Sequence, residues 1–344
     1  MSNLNEADLI PWLEAHVPNF SGFEKLTKFG DGQSNPTFKI DAQSGTYVLR
    51  AKPPGELLKS AHAVDREFRV MSALADTAVP VPKMMVLSQE GDASPIGRMF
   101  FVMEFLDGRI FWDPAIPEVG EDNAMRSRIY DAMNDTLAKL HSVDVKAVDL
   151  ETYGKPGNYF ERQTDRWAKQ YRASEVERNE TVHKVIAWLE VNMPKDDGQI
   201  SIVHGDYRLD NMIFAPQRED VIAVLDWELS TLGHPLADLA YQCMQWRLPH
   251  QAGMRGLGGV DRTAMGIPTE EEYVASYCQR RGIEAITNWP FYIAFSLFKL
   301  TGILQGVYKR SLDGNASNPK RAKEYAKAIP LLAQAAWAEI QKEN

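Results

Sequence analysis

Two short polar segments in the second half of the chain carry side chains suited to holding a divalent cation and accepting a proton. The first runs H-G-D-Y-R-L-D-N from His204 to Asn211, and the second is D-W-E, beginning at Asp226. Asp206 and Asp226 supply carboxylates and Asn211 supplies an amide oxygen. Carboxylate and amide oxygens are ligands that hard cations such as Mg²⁺ accept.

The residues between the two segments predict how they are brought together. Residues 212–214 and 221–225 are apolar runs joined by the polar turn A-P-Q-R-E-D, a pattern typical of a β-hairpin. An antiparallel hairpin places the residue before its first strand beside the residue after its second strand. We therefore expect Asn211 and Asp226 to share a Mg²⁺ site, with Asp206 close enough to act as a base for an acceptor hydroxyl.

The pattern H-G-D-x-x-x-x-N followed by D-W-E resembles the catalytic and metal-binding motifs of the aminoglycoside phosphotransferase and choline kinase group, relatives of the protein kinases. The resemblance implies an ATP- and Mg²⁺-dependent enzyme that phosphorylates a small-molecule hydroxyl. In that enzyme Asp206 is the catalytic base, Asn211 and Asp226 hold Mg²⁺, and Arg208 steadies the transferring phosphoryl group.

Two further residues of these segments, and Asp238 shortly after them, have plainer expected roles. His204 is expected to orient the loop by hydrogen bonding, since no second histidine stands at metal-ligand spacing. Glu228 either ligates the metal or supports it indirectly, and the sequence leaves both open. Asp238 matches an acidic position that braces the catalytic loop in the resembling group.

The segment G-D-G-Q-S-N near the N-terminus is a candidate phosphate-binding turn. Gly30, Gly32, Ser34 and Asn35 precede a predicted strand, where small residues let backbone N–H groups approach phosphates. The third glycine of a G-x-G-x-x-G motif is missing, so this segment considered alone favours an ordinary turn. The downstream motifs favour the nucleotide-binding interpretation.

A cation for the nucleotide phosphates is expected from the predicted strand Y-V-L-R-A-K. Arg50 and Lys52 alternate onto the same face, so periodicity does not choose between them. We favour Arg50 because Lys52 precedes two prolines and because Arg50 aligns where the resembling group has lysine. Its expected acidic partner is Glu67, which flanks the apolar stripe of a predicted helix and can point towards the sheet.

Met103, Glu104 and Phe105 fall where the resembling group connects its two lobes and binds adenine through backbone groups. That resemblance makes Glu104 and Phe105 candidate nucleotide-binding residues. Met103 and Phe105 are equally typical of core residues.

The surrounding elements predict an α+β fold with two lobes. Residues 37–41, 46–50, 80–87 and 99–105 are β-rich runs around one helix at 60–75. Beyond residue 106 the chain is mainly helical, and we expect helices at 129–140, 160–172, 182–191, 270–281, 290–309 and from 320 onwards, with one β-hairpin. The resemblance implies a protein-kinase-like arrangement, with a nucleotide-binding lobe at 1–105 and a catalytic, substrate-binding lobe at 106–344.

Composition excludes several classes of protein. The chain has 344 residues, 44% of them hydrophobic, and a net charge of −9, which argues against general attraction to nucleic acid or anionic membranes. Cys243 and Cys278 form no metal-binding or disulfide pattern, which favours a reducing, cytoplasmic location. The N-terminus lacks a signal-peptide pattern and apolar stretches such as 291–300 are too short to span a bilayer, so we expect no membrane segment.

Longer segments point to a narrower resemblance. Y-V-L-R-A-K-P-P-G-E-L-L-K and G-N-Y-F-E-R-Q-T-D-R-W look closest to phosphotransferase-like domains associated with acyl-CoA dehydrogenases. This implies a hydroxyacyl-CoA acceptor and a functional link to such a dehydrogenase. Arg162, Arg166 and Lys169 form a basic helix face that either binds the acceptor's phosphates or is simply solvated, and Trp167 is either a pocket wall or core.

Other functions remain open from the sequence. The acceptor could instead be an aminoglycoside or a choline-like alcohol. A pseudokinase that binds nucleotide or acyl-CoA without transfer would have lost the base or a metal ligand, and all three residues are present. A structural partner domain for a dehydrogenase would expose a large apolar patch.

Overall fold

The N-terminal part of the protein is built on one antiparallel sheet. The computed structural model describes residues 4–30, 35–54, 62–250, 256–314 and 319–342. Five strands pair in the order β1-β2-β3-β5-β4. Their bounds are β1 (Phe23–Lys28), β2 (Thr37–Ala42), β3 (Gly45–Ala51), β4 (Met84–Leu87) and β5 (Phe100–Glu104). Arg50 therefore lies on the central strand, opposite Thr37 and Phe101.

One helix of this part packs where the sequence predicts it. Helix α2 (Val64–Leu74) begins four residues after the predicted start at residue 60, and residues 60 and 61 lie outside the described part of the chain. Val64 and Met71 are buried against the sheet, as their helical spacing predicts. Glu67 is buried on the same helix at 1% exposure.

Two N-terminal elements were not expected from the sequence. Helix α1 (Glu6–His16) follows Asn5, whose side chain accepts a hydrogen bond from the Ala7 N–H and caps the helix. Strand β1 has mostly polar, partly exposed residues because it lies at the edge of the sheet. Strand β4 also begins later than predicted, since prolines at 80 and 82 cannot donate to a ladder.

The rest of the chain is mainly helical, and the expected α+β, protein-kinase-like fold class is confirmed. The helices are α3 (Asn123–His141), α4 (Tyr159–Ser174), α5 (Glu180–Val191), α6 (Leu236–Cys243), α7 (Glu270–Arg281), α8 (Trp289–Leu312) and α9 (Pro319–Gln341). Only α6 was not expected. All eight of its residues are buried, so it shows no alternation between a polar and an apolar face. The division between lobes at residue 105 stays a prediction.

Two small β-ribbons position the polar segments. The predicted hairpin is present as β7 (Met212–Phe214) and β8 (Val221–Val224), with Met212 opposite Val224. The expectation of a single ribbon was wrong. Strand β6 (Ser201–Val203) pairs with β9 (Thr231–Gly233), and strands of three residues are too short to show a period in sequence.

Helix α8 corrects the expectation about apolar stretches. Its 24 residues are long and apolar enough to span a bilayer by length and composition alone. However, 78% of that apolar window is buried inside the protein, where α8 packs against α4, α6 and α9. The helix is therefore accounted for as the central core helix of the large lobe.

Candidate active site

The loop after β6 is held rigidly by a buried carboxylate. Asp238, at 0% exposure on α6, accepts hydrogen bonds from the backbone N–H groups of His204 at 2.6 Å and Gly205 at 2.8 Å. Gly205 has a φ of 86°, and a Cβ on it would approach the Leu229 carbonyl oxygen to 2.7 Å. Glycine is therefore required at this position, and Asp238 braces the loop as the sequence predicts.

His204 is committed to the loop by both ring nitrogens. Its Nδ1 accepts the backbone N–H of Asp206 at 3.2 Å, and its Nε2 lies 2.9 Å from the carbonyl oxygen of Leu225. The second contact requires a proton on Nε2, because a carbonyl oxygen only accepts. His204 thus joins the Asp206 loop to the end of β8, which is the orienting role expected for it.

Asp206 lies at the centre of a polar cluster with 22% of its side chain exposed. Asn211 donates its amide to Oδ2 at 3.0 Å, and the Arg208 guanidinium lies 3.3 Å from Oδ1. Burial raises the pKa of Asp206, but the Arg208 charge and a hydrogen bond from Tyr241 outweigh burial and hold that pKa below its ordinary value. Asp206 is therefore ionised at neutral pH and suited to accept a proton.

The two candidate metal ligands lie at one end of the ribbon. The Leu225 N–H donates to the Asn211 carbonyl at 2.8 Å, and Asp226 follows directly in a left-handed conformation with φ of 64°. Asn211 uses its amide nitrogen on Asp206, so its amide oxygen is the atom left to ligate. The hairpin prediction correctly brought these residues together.

These donors fit Mg²⁺ only as part of a nucleotide complex. Within the described ranges, no group of three or more His, Cys, Asp or Glu side chains is arranged to hold a metal ion. One amide oxygen and one carboxylate would leave the other positions to phosphate oxygens and water. Mg²⁺ commonly binds proteins in this way, through one or two carboxylates plus substrate phosphates.

Arg50 joins the sheet to the metal-binding end of the ribbon. Its Nε lies 3.0 Å from Glu67, and its Nη2 lies 2.5 Å from Asp226 and 4.0 Å from Glu228. Burial raises the pKa of Glu67, while the Arg50 charge opposes that rise. The expected pairing of Arg50 with Glu67 is present, and the same guanidinium contacts the candidate metal ligand Asp226.

The glycine-rich turn is only partly described. Gly32 and Ser34 lie outside the described residues, and a Cβ on Gly30 would meet nothing within 4 Å. Asn35 is described, and its expected role in phosphate binding stays a prediction. Its side chain is 3% exposed and donates to the Glu67 carboxylate at 2.8 Å, so it helps to hold the partner of Arg50.

Lys52 points to a different partner. Its Nζ lies 2.7 Å from Glu90, whose side chain is 60% exposed. Arg50, with its side chain 15% exposed, is the cation that contacts Glu67 and Asp226. The contacts of the two side chains therefore distinguish Arg50 from Lys52, which strand periodicity does not.

The connection after β5 uses its backbone donors within the protein. The Glu104 N–H donates to the Lys83 carbonyl at 2.9 Å, and the Phe105 N–H donates to the Thr46 carbonyl at 3.3 Å. At these two positions the backbone N–H groups are therefore already engaged within the protein. Their expected role in nucleotide binding stays a prediction.

The basic face of α4 is largely engaged in local contacts. Arg162 donates to two backbone carbonyls just before the helix, and Lys169 pairs with Asp165 at 2.8 Å. Arg166 lies over the ring of Trp167, with 5.4 Å between its guanidinium and the ring centroid. Trp167 itself is 7% exposed, which makes it a core residue more than a pocket wall.

Two residues beside Asp206 escaped sequence analysis. Tyr241 lies on α6, whose complete burial leaves no polar face to reveal it, and its hydroxyl contributes to the lowered pKa of Asp206. Lys299 lies within the apolar α8 and donates to the Gly205 carbonyl at 2.6 Å. A lone lysine inside an apolar helix was the available signal, because such a charge is rarely buried without a partner.

A comparison with protein families identifies the chain. The model of the phosphotransferase enzyme family known as APH matches residues 25–274. This match covers most of the chain, and the chain therefore belongs to that family. Membership supports small-molecule phosphotransfer as its chemistry.

The curated relatives are longer proteins. Acyl-CoA dehydrogenase family member 10 of Mus musculus is 47% identical over 325 residues, covering 94% of this chain and 30% of that protein. Acyl-CoA dehydrogenase family member 11 of Homo sapiens is 44% identical over 312 residues, covering 89% of this chain and 39% of that protein. The chain therefore spans less than half the length of these relatives.

Solved structures agree with the fold. A Ralstonia eutropha chain named as a candidate aminoglycoside phosphotransferase has a TM-score of 0.88 and 46% identity, covering 99% of both chains. A spectinomycin phosphotransferase in complex with ADP and spectinomycin has a TM-score of 0.62 and 13% identity, covering 97% of this chain and 98% of that one. The second likeness concerns the fold alone.

Proposed function

We propose that this member of the phosphotransferase enzyme family transfers the γ-phosphate of ATP to a hydroxyl group of a small molecule, with Mg²⁺ as cofactor. One observation carries the proposal. The ionised Asp206 contacts Asn211, Asn211 adjoins Asp226 across the hairpin, and Asp226 contacts Arg50. The residues proposed as base, metal ligands and phosphate-binding cation are thus linked by these two contacts and by the hydrogen bond from the Leu225 N–H to the Asn211 carbonyl.

The proposed reaction needs little covalent chemistry from the protein. The acceptor oxygen bonds to the γ-phosphorus as the bond from phosphorus to the ADP oxygen breaks, and the hydroxyl proton passes to Asp206. Asn211 and Asp226 would hold Mg²⁺, which neutralises charge on the phosphates when bound. Arg208, 3.3 Å from Asp206, would stabilise charge on the transferring group.

Nucleotide binding is assigned to the sheet and its helix. Arg50 would exchange its contact with Asp226 for the α- and β-phosphates while Glu67 keeps the guanidinium in place. The turn from Gly30 to Asn35 would approach the phosphates, and Glu104 with Phe105 would contact adenine. A cytoplasmic location remains part of the proposal.

For the acceptor we propose a hydroxyacyl-CoA. Relatives that cover most of this chain are named as acyl-CoA dehydrogenases, which supports a functional link to a dehydrogenase acting on the same acyl chain. The Ralstonia eutropha chain, 46% identical and named as a candidate aminoglycoside phosphotransferase, supports an aminoglycoside as the second candidate, and a choline-like alcohol stays an alternative from the sequence resemblance. A binding module without transfer is disfavoured because Asp206, Asn211 and Asp226 are all in place.

A coupled ATP-turnover screen tests the proposal. Hydroxyacyl-CoAs, choline-like alcohols and aminoglycosides are compared with Mg²⁺ present, and product mass reports addition of one phosphate. We expect a phosphorylated hydroxyacyl-CoA as the main product. Transfer to another class of alcohol would replace the acceptor, whereas nucleotide binding with no phosphorylated product would favour the pseudokinase alternative.

A further inference from the structure

The peptide group that leads into Asp206 is held from both sides. Its N–H donates to His204 Nδ1 at 3.2 Å, and its carbonyl oxygen, which belongs to Gly205, accepts from Lys299 Nζ at 2.6 Å. This peptide plane sets the direction in which the Asp206 side chain leaves the backbone. Lys299 therefore acts on the base through the backbone, from a helix nearly 100 residues further along the chain.

The Asp206 carboxylate is held by a second buried group. Tyr241 is 3% exposed, and its hydroxyl is one of the groups that hold the pKa of Asp206 below its ordinary value. Lys299 Nζ lies 4.8 Å from the centroid of the Tyr241 ring, within the range of a cation–π contact. The tyrosine and the lysine thus support each other as well as Asp206.

Lys299 has no acidic ion-pair partner within the described residues, although it is 8% exposed. Burial lowers the pKa of Lys299, and the charges of Asp238 and Asp206 oppose that effect. A buried ammonium is costly unless its surroundings compensate it. Leucine or methionine would suit the apolar α8 better for packing alone, so the hydrogen bond to Gly205 and the contact with Tyr241 account for a lysine here.

We propose that Tyr241 and Lys299 are positioning residues for the base of the phosphotransfer reaction, an inference that rests on the proposed function. Lys299 fixes the peptide plane before Asp206, and Tyr241, held by its contact with Lys299, supports the carboxylate. Both keep the carboxylate ready to accept the hydroxyl proton. Preorganisation of this kind acts on the chemical step and leaves nucleotide binding unchanged.

Four variants and a reference test the inference on the full chain. Tyr241→Phe removes only a hydroxyl, Lys299→Met removes the donor to Gly205, and Lys299→Arg keeps a cationic donor. Tyr292→Phe is the matched control, since Tyr292 is a buried tyrosine on α8 that stacks on His234. Asp206→Asn is the reference for loss of the base. Steady-state kinetics give kcat and KM, and calorimetry gives nucleotide affinity.

We expect kcat to fall about 10- to 100-fold in Tyr241→Phe and Lys299→Met, with nucleotide affinity and acceptor KM within about twofold of wild type. Lys299→Arg should recover part of the lost kcat, and Tyr292→Phe should match wild type. If Lys299→Met does not fold, Tyr241→Phe and Lys299→Arg decide the question. A Tyr241→Phe kcat equal to that of the control removes Tyr241 from the positioning role, and an unchanged kcat in Lys299→Met as well overturns the inference.

The Asp206→Asn variant distinguishes a failure of this inference from a failure of the proposed function. Full turnover in Asp206→Asn, or no transfer by the wild-type chain to any alcohol, overturns the proposed function itself. Loss of turnover in Asp206→Asn, together with unchanged kcat in both Tyr241→Phe and Lys299→Met, overturns only the positioning roles.

Discussion

Replacing Arg50 by methionine should separate the phosphate-binding cation from its neighbour Lys52. Arg50→Met removes the charged donor proposed for the nucleotide phosphates, and hydrogen bonds to charged groups are worth about 1.5–3 kcal/mol each. At 1.4 kcal/mol per tenfold change, this corresponds to a loss of nucleotide affinity of about 10- to 150-fold. Lys52→Met is the matched control, because Lys52 pairs with the exposed Glu90.

The same substitution should cost stability through Glu67. That carboxylate is 1% exposed and, among the described residues, keeps the Asn35 amide as its hydrogen-bond donor when the guanidinium is removed. Breaking a buried ion pair costs about 3–5 kcal/mol. The lower end applies, because burial already raises the pKa of Glu67 and a protonated carboxyl needs no ion partner. Arg50→Lys keeps the charge but cannot span Glu67 and Asp226. Its free energy of unfolding should therefore lie between those of the wild type and Arg50→Met.

Isothermal titration calorimetry with Mg²⁺ and a non-hydrolysable ATP analogue measures the affinities, and chemical denaturation measures the stabilities. Lys52→Met should bind nucleotide as the wild type does, because Lys52 contacts Glu90 and not the candidate phosphate site. Its stability should also change little, since an exposed ion pair contributes only about 0–1 kcal/mol to the free energy of unfolding. Nucleotide affinity unchanged in Arg50→Met but lowered in Lys52→Met would refute the assignment and exchange the roles of the two residues.

Three further substitutions test other parts of the site. Asp238→Ala leaves the N–H groups of His204 and Gly205 without an acceptor, so the free energy of unfolding should fall by about 2–6 kcal/mol in chemical denaturation; a loss below about 0.5 kcal/mol contradicts the bracing role. Arg66→Met removes the donor to the backbone carbonyls of Tyr153, at 2.8 Å, and Ser230, at 3.2 Å, which connect α2 to the mainly helical part of the chain. Tm and kcat should fall together in this variant. Unchanged values of both would show that the connection is dispensable. Asp226→Ala should make nucleotide affinity the same with Mg²⁺ and with EDTA, and a retained Mg²⁺ dependence in calorimetry would remove Asp226 from the metal site.

The sequence predicted those parts of the site that short-range patterns determine. Two apolar runs around a polar turn define the hairpin, and the hairpin alone brings Asn211 next to Asp226. The helical stripe through Val64 and Met71 likewise placed Glu67 towards the sheet. In each case a local period, of 2 or 3.6 residues, carries the information.

The remaining parts depend on contacts between residues far apart in the chain. Helix α6 is buried on every side, so no polar face marks it and Tyr241 could not be placed. Asn35 reaches Glu67 across 32 residues of sequence, and Lys299 reaches Gly205 across 94. Such pairs are determined by tertiary packing, so the periodicity of the sequence does not predict them.

The most direct test of the central claim is the turnover of Asp206→Asn with the acceptor identified by the screen. Asparagine keeps the shape of the side chain but cannot take the hydroxyl proton. We predict that kcat falls by about 10²–10⁴-fold, while calorimetry finds nucleotide and Mg²⁺ binding unchanged. Wild-type turnover in this variant would contradict the claim that Asp206 is the base.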